Sequence, residues 1–119
     1  MNKDEKQKED KYIEEHWMSK NMILLKKDYP ELYKNMAELK EIIYTDNVHD
    51  DRTLKLVSIA LTAANEDIRG TRKQIISGIK EFNFTREELI DILKVVLLLA
   101  GKPAFMKAIG IVYDETGGE

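Results

Sequence analysis

The sequence predicts an all-α fold of about six helices, on the strength of three observations. Apolar residues recur at spacings of three and four in one segment after another, with no convincing period-two strand. Helix punctuation falls between those segments: Pro30, Thr85-Arg86-Glu87-Glu88, Gly101 and Pro103. The composition, 43% hydrophobic and 34% charged, suits helices with one apolar and one well-hydrated face.

The elements follow in order. A first helix is expected from roughly Glu5 to Lys27, frayed at its start because Met1 to Lys11 offers almost nothing apolar to pack. Pro30 suits the first turn of a second helix, whose Leu32, Met36, Leu39 and Ile43 form an apolar stripe. The polar stretch Thr45 to Asp50 breaks it. A third helix is expected from about Asp51 to Ala64, apolar nearly all round between Leu54 and Leu61. A fourth, from about Glu66 to Phe82, places Ile68, Ile75, Ile79 and Phe82 on one face, and Asn83-Phe84 is a turn. Thr85 to Glu88 has the form of a capping box, in which Thr caps the first-turn amides and Glu88 reaches back. The fifth helix runs to about Ala100, with Gly101 as a left-handed stop, and Pro103 opens a sixth that reaches Tyr113. At 119 residues the chain fits one domain, residues 12–115, behind a flexible charged segment 1–11 and ahead of a tail 116–119.

Composition also excludes function classes. A net charge of −3 with interspersed signs lacks the basic stripe of a nucleic-acid binder. The opening residues carry no apolar signal core, and the longest apolar run, Val95 to Ala100, is too short to cross a membrane, so a cytoplasmic protein is expected. There is no cysteine, which removes disulfides, thiolate metal ligands and redox thiols. His16 and His49 are the two histidines. Asp46, His49, Asp50 and Asp51 could touch a cation, but a hydrated loop is the better reading, and neither cofactor nor metal is expected. Met18, Met22, Met36 and Met106 read as core or interface filler. Between Leu89 and Ala100 only Asp91 and Lys94 interrupt the apolar residues. A short chain struggles to bury that helix together with the third, so a homo-oligomer is expected, the alternative being that both form the monomer's core.

The candidate site residues lie around the fourth helix. Arg72 falls on the apolar line of Ile68, Ile75 and Ile79, with Thr71 beside it. A guanidinium there either holds a substrate carboxylate or packs its stem and pairs with Glu66, Asp67 or a neighbouring subunit. Glu66 and Asp67 complement the positive helix start, with proton transfer as the sharper alternative. Gln74 can donate and accept hydrogen bonds but cannot act as a general base at neutral pH.

Leu56-Val57-Ser58-Ile59-Ala60-Leu61, then Ile75 to Ile79, Phe84-Thr85-Arg86-Glu87-Glu88-Leu89 and Leu99-Ala100-Gly101-Lys102-Pro103-Ala104 with Ala108 carry a family resemblance. Their order and spacing resemble the carboxymuconolactone decarboxylase family, which includes the alkylhydroperoxidase D-like proteins. Asp28-Tyr29-Pro30-Glu31-Leu32 to Ile43, with the loop to Asp51, looks like that family's first helical pair. The resemblance implies an all-α alkylhydroperoxidase D-like fold, assembly as trimers or hexamers, and a pocket at a subunit boundary. Peroxidase members carry Cys-x-x-Cys with a following His on the helix that is fourth here, where this chain has Asp67, Ile68, Arg69, Gly70 and Thr71. Thiol peroxidase chemistry is therefore not expected. The family His aligns with Gln74 if one residue is inserted near Asn83, and with Ile75 otherwise, so the proton shuttle is missing either way. Arg72 matches a basic position found in some decarboxylase members.

Two functions stand against each other. One is a decarboxylase-like enzyme (a lyase) on a small carboxylated lactone, with Arg72 orienting the carboxylate and Glu66 or Asp67 handling the proton. The other is a non-enzymatic oligomeric scaffold or small-molecule binder with a degenerate active site, which replacement of His by Gln74 favours. A third, an adaptor using the charged first helix, has no motif behind it.

Overall fold

Capping residues and backbone stops set the helix ends. A computed structural model describes residues 2–4 and 20–117; across 20–117 it contains six α-helices, and there is no strand among the described residues. They are α1 (Lys20–Asp28), α2 (Pro30–Ile43), α3 (Asp51–Ala64), α4 (Ile68–Phe82), α5 (Arg86–Ala100) and α6 (Lys102–Glu115). The chain divides into two compact units, Met1–Asn47 and Val48–Glu119. Most of the charged segment 1–11 and of the expected first helix, with His16, Trp17 and Met18, lies outside the described residues.

In the first unit α1 packs on α2, and the Lys26 ammonium sits 5.3 Å from the centre of the Tyr33 ring. Pro30 opens α2 within its first turn, as its fixed φ favours. Neither helix buries a residue. The stripe Leu32, Met36, Leu39 and Ile43 is exposed along its whole length.

In the second unit α3, α4 and α5 begin on side-chain caps, while α6 begins at Gly101 without one. The Asp50 carboxylate accepts from the Thr53 amide at 2.7 Å, and the Asp67 carboxylate from the Gly70 amide at 2.8 Å. The Thr85 hydroxyl accepts from the Glu88 amide at 3.1 Å while the Glu88 carboxylate accepts from the Thr85 amide at 3.2 Å, completing the expected capping box. Such a cap satisfies amides that have no partner inside the helix. At the other ends, α4 stops at Asn83 in the left-handed conformation (φ 54, ψ 39), which asparagine tolerates. Gly101 stops α5 with φ 98 and ψ 170, a positive φ but an extended ψ rather than the left-handed helical stop expected. That region of backbone space is essentially reserved for glycine.

The core of this unit is Ile59 and Ala63 from α3, Ile75 from α4, Phe84 from the turn, Leu89, Leu93 and Val96 from α5, and Ala104, Ala108, Ile111 and Val112 from α6. Burying a large aliphatic side chain contributes about 1.5–3 kcal/mol. Gly78 makes room for Phe84: a Cβ on Gly78 would lie 2.7 Å from the ring.

One detail of patterning differs from expectation. Ile68 is 49% exposed, and the buried line of α4 is Thr71, Ile75 and Gly78. Thr71 is admitted to the core because its hydroxyl donates to the Asp67 carbonyl at 2.7 Å, leaving no unmet polar group. α5 is not surrounded within its own chain, since Val95, Leu97, Leu98 and Leu99 are exposed, Leu98 to 81%. No helix among the described residues is long and apolar enough to cross a membrane.

Candidate functional site

The four expected site residues do not converge, because helix geometry sends them to different neighbours. Arg72 lies at the edge of the buried line of α4 rather than on it, and its guanidinium reaches the C-terminal end of α6. There Nη1 donates to Glu115 Oε1 at 2.6 Å and Nη2 to Asp114 Oδ2 at 3.2 Å. Its partners are thus neither Glu66 nor Asp67. The bond to Glu115, then that to Asp114, raise the Arg72 pKa above an already high value, fixing its charge. The contact also places a cation against the last turn of α6, where the helix dipole favours one.

Glu66 stands in the left-handed region (φ 56) between α3 and α4, and its carboxylate meets Lys107 of α6 at 2.8 Å. Asp67 is turned onto its own helix. Its carboxylate caps Gly70 and its carbonyl accepts from both the amide and the hydroxyl of Thr71. A side chain at position 70 would collide with that cap, since a Cβ there would fall 2.1 Å from Asp67 Oδ2.

Gln74 faces α3 instead of α6. Its Oε1 accepts from the Lys55 ammonium at 2.8 Å, both residues being half-buried. Sequence reasoning missed Lys55, although a lysine among Leu54, Leu56 and Val57 poses the same question as Arg72 among isoleucines. One turn further along each helix stand Ser58 and Ser77, whose hydroxyls donate to the carbonyls of Leu54 and Gln74.

A second ionic group braces the start of α5. Arg52 of α3 pairs with Glu88 and lies 4.7 Å from the centre of the Phe84 ring. That bond, with the capping contact to Thr85, holds the Glu88 carboxyl below its ordinary value. Arg86 donates to the Thr116 hydroxyl at 2.9 Å and lies 5.0 Å from the Tyr113 ring centre. Asp50 is likewise held low, chiefly by its bonds to Thr53. Asp46, His49, Asp50 and Asp51 are exposed, and no group of three or more potential metal ligands forms among the described residues.

Of the hollows formed by described residues, an open one of about 560 Å³ is bordered by Glu38, Glu41, Ile42, Thr45 and Asp46. Another, of about 400 Å³, is bordered by residues that include Thr85, Arg86, Glu115 and Thr116. Neither contains Arg72, Gln74, Glu66 or Asp67 in its wall. Glu66 and Thr71 border a crevice with no room for a water molecule.

The chain is all-α among its described residues, with a core shared by α3, α4, α5 and α6. The chain belongs to the carboxymuconolactone decarboxylase family, whose family model matches residues 30–114. It is similar to "Uncharacterized protein MJ0742" of Methanocaldococcus jannaschii, with 38% identity over 97 residues, covering 82% of this chain and 93% of the relative. It is also similar to "Uncharacterized protein MJ1511" of the same organism, with 30% identity over 96 residues, covering 81% and 89% respectively.

Proposed function

We propose that this member of the carboxymuconolactone decarboxylase family is a homo-oligomeric protein that binds a small carboxylated compound without turning it over. The observation that carries the reading is the chemistry at positions 74 and 75. Gln74 is an amide hydrogen-bonded to Lys55, and Ile75 is a fully buried aliphatic residue. Whichever of the two matches the family's His, no imidazole is there to shuttle a proton. With no cysteine among the 119 residues, peroxide reduction through a thiolate has no nucleophile.

The decarboxylase alternative loses its main support in the ion pairs of Arg72. A guanidinium already bonded to two carboxylates must give them up before it holds a third. Glu66 and Asp67, the other candidates for proton transfer, serve a salt bridge and a helix cap. The exposed apolar residues of α2 and of the end of α5 support the homo-oligomer, since faces of that kind are normally covered by partner surface.

Incubation with 4-carboxymuconolactone and related lactone acids tests the reading. Thermal stabilisation without substrate loss or carbon dioxide release is the expected result. Carbon dioxide release that disappears in Arg72→Ala would replace it with a decarboxylase anchored at Arg72. Light scattering coupled to size exclusion should give a mass of several chains, and a monomer at all concentrations would remove the assembly from the proposal.

A further inference from the structure

The hollow of about 400 Å³ beside the start of α5 is bordered by an arginine unlike the other two half-buried ones. Arg52 and Arg72 spend their guanidinium groups on carboxylates, of Glu88 and of Asp114 and Glu115 respectively. Arg86 meets no carboxylate among the described residues. Its Nε donates to the Thr116 hydroxyl at 2.9 Å and its Nη2 to the Thr116 carbonyl at 3.4 Å, and the group lies 5.0 Å from the Tyr113 ring centre. Those bonds use two of the five N–H donors of a guanidinium, and the others find no acceptor among the described residues. Glu87 borders the same hollow, exposed and without a cation partner among the described residues. Neighbouring side chains on a helix do not face each other, so Arg86 and Glu87 leave one another's charge unspent. The Glu115 carboxylate, also in the lining, is already bound by Arg72. Phe84, buried, and Ile79, half-buried, make part of the lining apolar.

We propose that this hollow binds an α-amino acid with an apolar side chain, its carboxylate on Arg86 and its ammonium on Glu87. The inference rests on the reading of the protein as a binder of small carboxylated compounds, and names the class of compound and where it sits. One unspent cation and one unspent anion around a single hollow complement a zwitterion. A plain anion would meet repulsion from Glu87, and a plain cation from Arg86. The planar guanidinium suits a carboxylate, and Ile79 and Phe84 offer apolar surface to the side chain. The volume falls within the range of small-molecule sites, about 300–1,000 Å³. Thr116 and Tyr113 hold Arg86 in place before any ligand arrives, so less ordering has to accompany binding.

Calorimetric titration of the full chain with L-leucine, 4-methylpentanoate (leucine without its amine) and 3-methylbutylamine (leucine without its carboxylate) tests this. Leucine should bind best, and the amine should not bind. Arg86→Met should weaken leucine binding by about tenfold or more, as expected for loss of a charged hydrogen bond. Glu87→Gln should weaken leucine by about threefold, the scale of an exposed ion pair, and leave 4-methylpentanoate undiminished. It sits at an exposed position and covers the case in which the methionine variant fails to fold. Lys107→Met, outside the hollow, should bind as the parent does. Undiminished leucine binding in folded Arg86→Met or in Glu87→Gln overturns the site, and equal binding of leucine and 4-methylpentanoate overturns the zwitterion. Binding of 4-carboxymuconolactone but not of leucine overturns the amino-acid assignment and leaves the small-acid reading standing. No binding of any of these acids overturns that reading, and the site with it.

Discussion

Helices α2 and α4 are nearly equal in length and both carry an apolar stripe at helical spacing, yet α4 buries Thr71, Ile75 and Gly78 while α2 buries nothing. The difference lies in what each stripe meets. α4 is packed against both α3 and α6 within its unit, and even a threonine on its inner line is enclosed. α2 meets α1, with Tyr33 beside Lys26, and Leu32, Met36, Leu39 and Ile43 stay exposed. Periodicity states that a helix has a face to cover. It does not state whether the cover comes from the same chain.

The comparison can be broken most sharply at the core. Leu93→Ala should cost about 2–5 kcal/mol in urea unfolding, the usual range for a fully buried leucine, and the cost should not depend on protein concentration. Leu39→Ala should cost under about 0.5 kcal/mol in dilute protein and more as concentration rises, because assembly adds to apparent stability by mass action. A cost for Leu39→Ala equal to that for Leu93→Ala in dilute protein would mean that α2 is covered within the single chain after all. Gly78→Ala forces a methyl group into the Phe84 ring and should cost about 1–3 kcal/mol, read as a lowered melting temperature. Thr85→Ala removes half of the α5 capping box and should cost about 1 kcal/mol in the same measurement.

The smallest effect is one of pH. The Glu88 carboxyl is held below its ordinary value in the folded protein, by Arg52 first and then by the Thr85 amide. A group whose folded pKa is depressed contributes stability above its unfolded pKa and loses it as pH falls through the folded one. The parent should therefore lose stability as pH drops below the usual glutamate range. Glu88→Gln should be less stable near neutrality and should lose less over that acid interval. An unchanged acid profile in the variant would show that the pair with Arg52 adds nothing.

Much of the architecture was legible because it is written locally. Pro30, the Thr85–Glu88 box and Gly101 act within one turn of themselves, and the observed start of α2 and both ends of α5 follow from them. The site was less legible because its contacts are not local. The partners of Arg72 stand more than forty residues away along the chain, on the far end of a different helix, and no spacing rule points to Asp114 or Glu115. Lys55 had a signal, a charge within an apolar run, but the apolar count of its neighbours masked it. Ile68 misled in the opposite sense. It keeps phase with Ile75, but it opens α4 directly after the Asp67 cap, and half its surface remains in water.

The corner at Gly101 sets a rule for how the length of this chain can vary. One residue joins α5 to α6, and its backbone conformation is one that other residues avoid, so the two helices share a junction with no slack. An added or deleted residue there would shift Ala104, Ala108, Ile111 and Val112 out of phase with the helices they pack against. Residues 44–50, exposed and irregular, have slack to absorb the same change. Natural variants of this chain should therefore differ in length in that loop and keep constant length from α5 through α6. A library of single-residue insertions, sorted by yield of folded protein, would show the two behaviours side by side.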